Sequence, residues 1–352
     1  MKEILSAFQF AGKVIDLREC TDGHINGTYR VTTDQKTYIL QKINKSVFPK
    51  PFEVMENVVL VTKHIRKKLR EEGGDAERGT LRFVKAGDAY YYQDRFGEYW
   101  RAYHYVDGDC YQSCESPDLF LRVGRAFGSF QRQLADFDAT LLHEVIPDFH
   151  NTEKRYRDFE EAVEADACGR VASCRAEIEF LRARKEDCGL LARGLREGKY
   201  PLRVTHNDTK LNNVIMDPAT GEGLCVIDLD TVMPGSLLYD FGDAIRFGAS
   251  SAGEDETDLD RVYIVPELFY AFTKGFSDGL GGKITDAERA ALPQSARILT
   301  LETGMRFLTD YLSGDTYFRI HHAGHNLERA KNQLRLTESI EDAMPKLETL
   351  VE

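Results

Sequence analysis

The chain predicts an α+β protein in two lobes: a small antiparallel sheet with one long helix, then a large, mainly helical part. Three observations carry this. A chain of 352 residues exceeds what one small core holds. Short β-branched and aromatic runs, separated by turn signals, crowd into the N-terminal third. Beyond residue 106 helical periodicity dominates. That change sets the expected division, 1–106 and 107–352.

In order along the chain, Leu5, Phe8 and Phe10 form one side of a short N-terminal helix. "KVIDLREC", "TYRVTT" and "TYILQKI" read as three sequential antiparallel strands, split by "TDGHING" and "TDQK". "PFEVMENVVLVTKHIRKKLR" follows. Pro51 suits a first helical position, and Phe52, Met55, Val58, Val59, Ile65 and Leu69 recur at helical spacing. Two further strands are expected in "LRFVKA" and "AYYYQDRFGEYWRAYHYV". After a connector at "DGDC", helices are expected over 117–134, 152–166 and 172–196. Strands are expected over 202–205, 214–217 and 224–229, and mostly helix from Leu237 onward.

Composition narrows the function. The net charge of −12 argues against duplex nucleic acid, whose binders carry a basic face. "KHIRKKLR" lies inside a helical pattern and is read as a solvated face. "EDETDLD" (254–260) is read as a solvated loop. No run of eighteen apolar residues spans a membrane, and the N-terminus lacks an export-signal pattern, so a cytoplasmic location is expected. Seven irregularly spaced cysteines without a CxxC argue against a disulfide framework or zinc ribbon. Cys110 and Cys114 are read as ordinary thiols.

The chemistry concentrates in "RVTHNDTKLNNVIMD" (203–217). Asp208 and Asn213 are five positions apart, and a strand bearing Asp228 follows across a hairpin-like "PATGEG". A loop carboxylate can accept a proton from an attacking hydroxyl. An amide oxygen and a second carboxylate are the hard ligands that Mg²⁺ takes. His206 is placed to brace the loop, and Lys210 to reach a transferring phosphoryl group. Phosphoryl transfer needs this combination of positioning and charge neutralisation, and an acidic protein handling ATP needs the metal.

His-x-Asp-x-x-x-x-Asn followed by a strand-borne Asp resembles the catalytic and metal-binding loops of the protein-kinase-like fold. The variant "VTHNDTKLNNVIMD…GLCVIDLDTVMPGSLLYDFGDAIRFGA" is similar to the aminoglycoside phosphotransferase/choline kinase superfamily, and more narrowly to N-acetylhexosamine 1-kinases. "DGHINGTYRV", "YILQKIN", "MENVVLVT", "WRAYHYVDG" and "RFLTDYLSGDTYF" extend the resemblance through the whole chain. It implies Asp208 as general base for the sugar hydroxyl, with Asn213 and Asp228 on Mg²⁺. Asp230 replaces the glycine of Asp-Phe-Gly, and is read either as a helper of a second metal or as a cap of the next turn. Asp240 in "YDFGD" is expected to support the catalytic loop from behind.

In the first lobe, alternation puts Tyr38, Leu40 and Lys42 on one strand face. Leu40 is expected to roof adenine and Lys42 to reach the phosphates, with Glu56 rather than Glu53 as its partner. "DGHINGTY" stands where a phosphate-covering loop belongs, although Gly23 and Gly27 depart from G-x-G-x-x-G. Backbone near Tyr103 and Tyr105 is expected to meet adenine. For the acceptor, the resemblance points to Arg306 and Tyr317. The expected reaction converts ATP and an N-acetylhexosamine to ADP and the sugar 1-phosphate. The alternatives are the same chemistry on another acceptor (choline, an aminoglycoside, a different monosaccharide) and a pseudokinase-like binding module. The second would be expected to lack one of Lys42, Asp208, Asn213 or Asp228.

Overall fold

The structure is a computed structural model that describes residues 1–20, 26–114 and 116–351. Gly23 lies outside the described residues. Helix α1 (Lys2–Ala7) is followed by strands β1 (Val14–Cys20), β2 (Gly27–Thr33) and β3 (Thr37–Lys42), which pair antiparallel in sequence. Helix α2 (Pro51–Glu71) starts at Pro51, whose missing N–H costs nothing at that position. Strands β4 (Tyr92–Gln93) and β5 (Tyr99–His104) then complete a five-stranded sheet of order β1-β2-β3-β5-β4.

The sheet is covered on both faces. Ile4 and Phe8 at the N-terminus pack on Val31, Tyr38, Leu40, Trp100 and Ala102. On the other face Val54, Met55, Val58, Val61 and Ile65 of α2 meet Ile43. That cluster continues into Val204, Ile215, Cys225 and Leu229 of the C-terminal part. One hydrophobic core therefore joins the sheet to the segments that carry the chemistry.

The strand expected at 81–86 is not formed. Val84 N–H bonds Ala102 C=O at 2.7 Å and His104 N–H bonds Arg82 C=O at 2.9 Å, but the chain leaves the edge after isolated bridges at Phe83 and Ala86. The crossing to the second part is tied at Asp109, which exchanges two backbone bonds with Met216 at 3.0 and 2.8 Å.

The C-terminal part begins with α3 (Pro117–Gln133) and α4 (Thr152–Ala165). The single helix expected over 172–196 is two: α5 (Arg175–Arg182) and α6 (Leu190–Arg196), with a 3₁₀ turn at Lys185–Gly189 between them. Ion pairs of Arg184 with Glu341 and of Arg297 with Asp187 draw that turn onto the later helices, so tertiary contacts override local propensity. Four short strands follow: β6 (Arg203–Thr205), β7 (Val214–Met216), β8 (Gly223–Val226) and β9 (Met233–Gly235). β7 and β8 form the expected hairpin. β6 pairs with β9, a Met-Pro-Gly strand with no sequence signal of its own.

Helices α7 (Leu237–Gly248), α8 (Pro266–Leu280), α9 (Asp286–Leu312) and α10 (His325–Thr349) fill the remainder. α3 and α8 touch backbone to backbone. A Cβ on Gly275 would lie 1.9 Å from the Leu121 carbonyl oxygen, and one on Gly128 would lie 2.2 Å from that of Phe276. Among the described residues, no helix is long and apolar enough to cross a membrane.

Candidate active site

The turn between β6 and β7 is built to present Asp208. Asn207 adopts φ +66°, a left-handed turn that asparagine tolerates, and this reverses the chain just before the carboxylate. Behind it, the buried Asp240 of α7 accepts the backbone N–H groups of His206 (3.0 Å) and Asn207 (2.8 Å), and the Gln131 amide at 2.6 Å. Burial pushes the Asp240 carboxyl upward, and these donors push it back towards the charged form. His206 is fully buried between Phe127 and Phe130, with Nε2 2.8 Å from the Ile227 carbonyl oxygen. Asn207 donates to the Thr231 carbonyl at 2.8 Å, and Thr231 donates back to that of His206 at 2.6 Å.

Asp208, Lys210 and Asn213 come together. Lys210 Nζ lies 2.8 Å from Asp208 Oδ1, and Asn213 Nδ2 donates to Asp208 Oδ2 at 3.0 Å. Burial works against charge on Lys210, but Asp208 and Asp243 more than offset it and hold its ammonium above the usual lysine range. Asp228 lies two residues past the end of β8, with φ +57°, just before the 3₁₀ turn Leu229–Thr231. Its depth in the site, then the Asp230 and Asp208 carboxylates, push it up to about 6, although the side chain itself opens to solvent. Lys210 pairs with Asp208 and Arg101 with Asp230, whereas Asp228 makes no ion pair among the described residues, so its carboxylate beside the Asn213 amide is where a divalent ion fits. No three His, Cys, Asp or Glu side chains among the described residues make a complete metal cage. Mg²⁺ does not require one, because it keeps waters and phosphate oxygens alongside one or two carboxylates.

Other expectations are corrected. Leu40 does share a strand face with Lys42, but that face is the one closed by α1. Leu40 is fully buried there among Ile4, Phe8 and Trp100, and does not roof a nucleotide. Lys42 lies opposite Trp100 and pairs with Glu98 at 3.6 Å. Glu56 is exposed and bonds His143 at 2.6 Å, so the Lys42–Glu56 pair is not formed. The inward position on α2 belongs to Asn57, which donates to the His143 and Val232 carbonyls at 2.8 Å each. Asp230 is buried and both its oxygens are engaged, one by Arg101 and one by Asn26 at 2.7 Å, so the structure shows it neither capping a turn nor open to a metal. Tyr103 stacks edge-on against Phe83, and burial raises its hydroxyl. The Tyr105 N–H is given to the Thr37 carbonyl at 3.1 Å, so it offers no donor to adenine.

Arg306 and Tyr317 are brought together. The Arg306 guanidinium lies 5.9 Å from the Tyr317 ring, 5.3 Å from Phe149 and 5.5 Å from Phe318. They line a cavity of about 210 Å³ with Arg155, Asp158 and Asp310. Nearby in α9, the buried Glu302 is bonded by His150 at 2.8 Å and accepts the Thr152 hydroxyl at 2.5 Å. Sequence reading missed His150 and Glu302, since a lone histidine and a mid-helix glutamate give no signal.

A sequence profile of the phosphotransferase enzyme family matches residues 16–264, most of the chain. The chain belongs to that family. Solved structures agree on the fold of this phosphotransferase. An aminoglycoside phosphotransferase from Alicyclobacillus acidocaldarius superposes with TM-score 0.66 at 14% identity, covering 100% of this chain and 96% of that one. A spectinomycin phosphotransferase in complex with ADP and spectinomycin gives 0.60 at 13% identity, covering 98% and 97%. A choline kinase from Cryptosporidium parvum gives 0.56 at 12% identity, covering 96% and 92%.

Proposed function

We propose that this phosphotransferase is a kinase that moves the γ-phosphoryl group of ATP onto the anomeric hydroxyl of an N-acetylhexosamine. Asp208 accepts the proton of that hydroxyl as its oxygen bonds to the γ-phosphorus, and the bond from phosphorus to ADP breaks. Asn213 and Asp228 would hold Mg²⁺, which supplies charge neutralisation at the phosphates. Lys210 orients the Asp208 carboxylate and faces the group in transfer. An anomeric hydroxyl is more acidic than an ordinary alcohol, which eases the transfer to a carboxylate. On this reading the chain divides near residue 106, and the nucleotide binds between the two parts.

One observation favours a neutral sugar over a cationic acceptor. The cavity at Arg306 and Tyr317 has two arginines among aromatic rings, and its carboxylates are already spent. Asp310 accepts N–H groups from Thr316, Tyr317 and Phe318 at 2.8, 2.8 and 2.9 Å, and Asp158 is paired with Lys154. Choline and aminoglycosides need unpaired carboxylates or an aromatic cage without cations. The neighbours named for choline and spectinomycin support the kinase fold and the nucleotide, and leave the acceptor to this pocket.

ADP release against a panel of acceptors tests the reading. Turnover with N-acetylglucosamine or N-acetylgalactosamine is the expected outcome. Turnover of choline, ethanolamine or an aminoglycoside without any sugar would replace it with the alternative acceptor. Tight binding of Mg·ATP with no turnover of any acceptor would leave a binding module.

A further inference from the structure

With Lys42 and Glu56 turned away, the nucleotide phosphates need another cation. We propose that Arg101 is that cation, with Asp230 as its carboxylate partner rather than a metal ligand. The inference rests on the kinase reading above and assigns residues to it.

The argument begins with the register of the sheet. In the β3–β5 ladder Lys42 lies opposite Trp100, and Gln41 opposite Arg101. Directly opposed residues of an antiparallel pair point to the same face, and adjacent ones to opposite faces. Lys42 and Trp100 therefore share the face that α1 closes. Gln41 and Arg101 share the face turned to the catalytic segment.

Arg101 is fixed there. Its Nε and Nη2 both donate to Gln41 Oε1, at 2.9 and 2.8 Å, and its Nη1 meets Asp230 Oδ1. The other Asp230 oxygen takes the Asn26 amide, and Asn26 Oδ1 accepts the Asn44 N–H at 3.0 Å. Both partners of the ion pair are buried, each side chain about 4% exposed. A buried arginine is costly to desolvate, and the Asp230 carboxylate and the Gln41 oxygen are the partners that hold its charge in place. Arg101 is close enough to Asp228 for each to act on the other's charge, so the guanidinium stands beside the expected metal–phosphate position. Among the described residues, Nη1 and Nη2 each have a second N–H that these bonds do not use, and a charged N–H donor suits a phosphate oxygen. A strand cation locked by a carboxylate and aimed at phosphates is thereby assembled from β5 and the segment after β8.

Isothermal titration of the full-length protein with Mg·ADP and with adenosine tests this. Arg101→Gln should weaken Mg·ADP by roughly 10–100-fold, the range for losing a charge-assisted bond, while adenosine affinity holds. Arg101→Lys should recover part of the loss. Lys42→Ala should leave Mg·ADP affinity unchanged. Asp230→Asn should leave the Mg²⁺ concentration for half-maximal ADP binding where it was, because Asp230 is not a ligand. Equal loss of adenosine and ADP in Arg101→Lys, a Mg²⁺ shift in Asp230→Asn, or collapse of ADP binding in Lys42→Ala would each overturn the assignment. If Arg101→Gln does not fold, Arg101→Lys and Asp230→Asn decide alone. Failure of the unaltered protein to bind Mg·ADP would instead sink the kinase reading.

Discussion

Asn213 donates through one amide nitrogen to both the backbone carbonyl (2.8 Å) and the carboxylate (3.0 Å) of Asp208, five residues earlier. The amide oxygen, the atom a hard cation prefers, is the other arm of the same group. The residue expected to hold the metal thus also fixes the rotamer of the residue expected to take the proton. Moving either one disturbs both roles.

Asp208→Asn should lower kcat by roughly 10²–10⁴-fold, the range for a positioned base, with little change in nucleotide affinity. Steady-state kinetics paired with Mg·ADP titration separates the two effects. Near-full kcat would remove Asp208 from its role.

Mg·nucleotide binding should depend on pH through Asp228. Its carboxyl is raised to about 6, and a metal competes with the proton it then carries. Affinity for Mg·ADP should be flat above about pH 6 and fall as the pH drops below it. The stability consequence has the opposite sign. The folded value lies above the ordinary Asp value near 3.9, so the charged form costs stability above pH 6 and that cost fades as the pH falls towards 4. Asp228→Asn should therefore melt higher than the unaltered protein at pH 7.5 while losing Mg·ADP. Calorimetric melting and titration at two pH values check both halves.

Arg306→Ala should raise the KM for the sugar by about 10–100-fold and leave the KM for ATP in place, because the guanidinium lies among Phe149, Tyr317 and Phe318 in the proposed acceptor cavity. Tyr317, exposed to 65%, should show the same direction with a smaller effect. A rise in both KM values together would place Arg306 outside the acceptor site.

Asp240→Ala should both destabilise the protein and lower kcat. It strips the partner from two buried backbone N–H groups, on His206 and Asn207, and from the Gln131 amide. Each unsatisfied buried donor costs about 1–3 kcal/mol. Melting temperature and kcat at a temperature where the variant is folded separate the two losses.

What was legible in the sequence was what is local. The spacing of His206, Asp208, Lys210 and Asn213 fits one turn, and a turn is written in consecutive residues. The β7–β8 hairpin that leads into Asp228 followed for the same reason, although its second strand ends at Val226. Lys42 was misplaced because alternation distinguishes two faces without saying which is covered. That depends on Ile4 and Phe8, far away in sequence, closing the Leu40 face. Arg101 was missed by the same logic, since "YWRAYH" reads as an aromatic strand and its arginine gains meaning only from Gln41 and Asp230. β9 was invisible because Met-Pro-Gly has low strand propensity and extends only by pairing with β6.

The central claim is transfer of a phosphoryl group to the anomeric oxygen by the Asp208 loop. Phosphorus and carbon NMR of the product formed from ATP and an N-acetylhexosamine tests it most directly. The account predicts phosphorus coupled to the anomeric carbon, and no such product from Asp208→Asn. Phosphorus coupled to another sugar carbon, or the same 1-phosphate made at undiminished rate by Asp208→Asn, would contradict it.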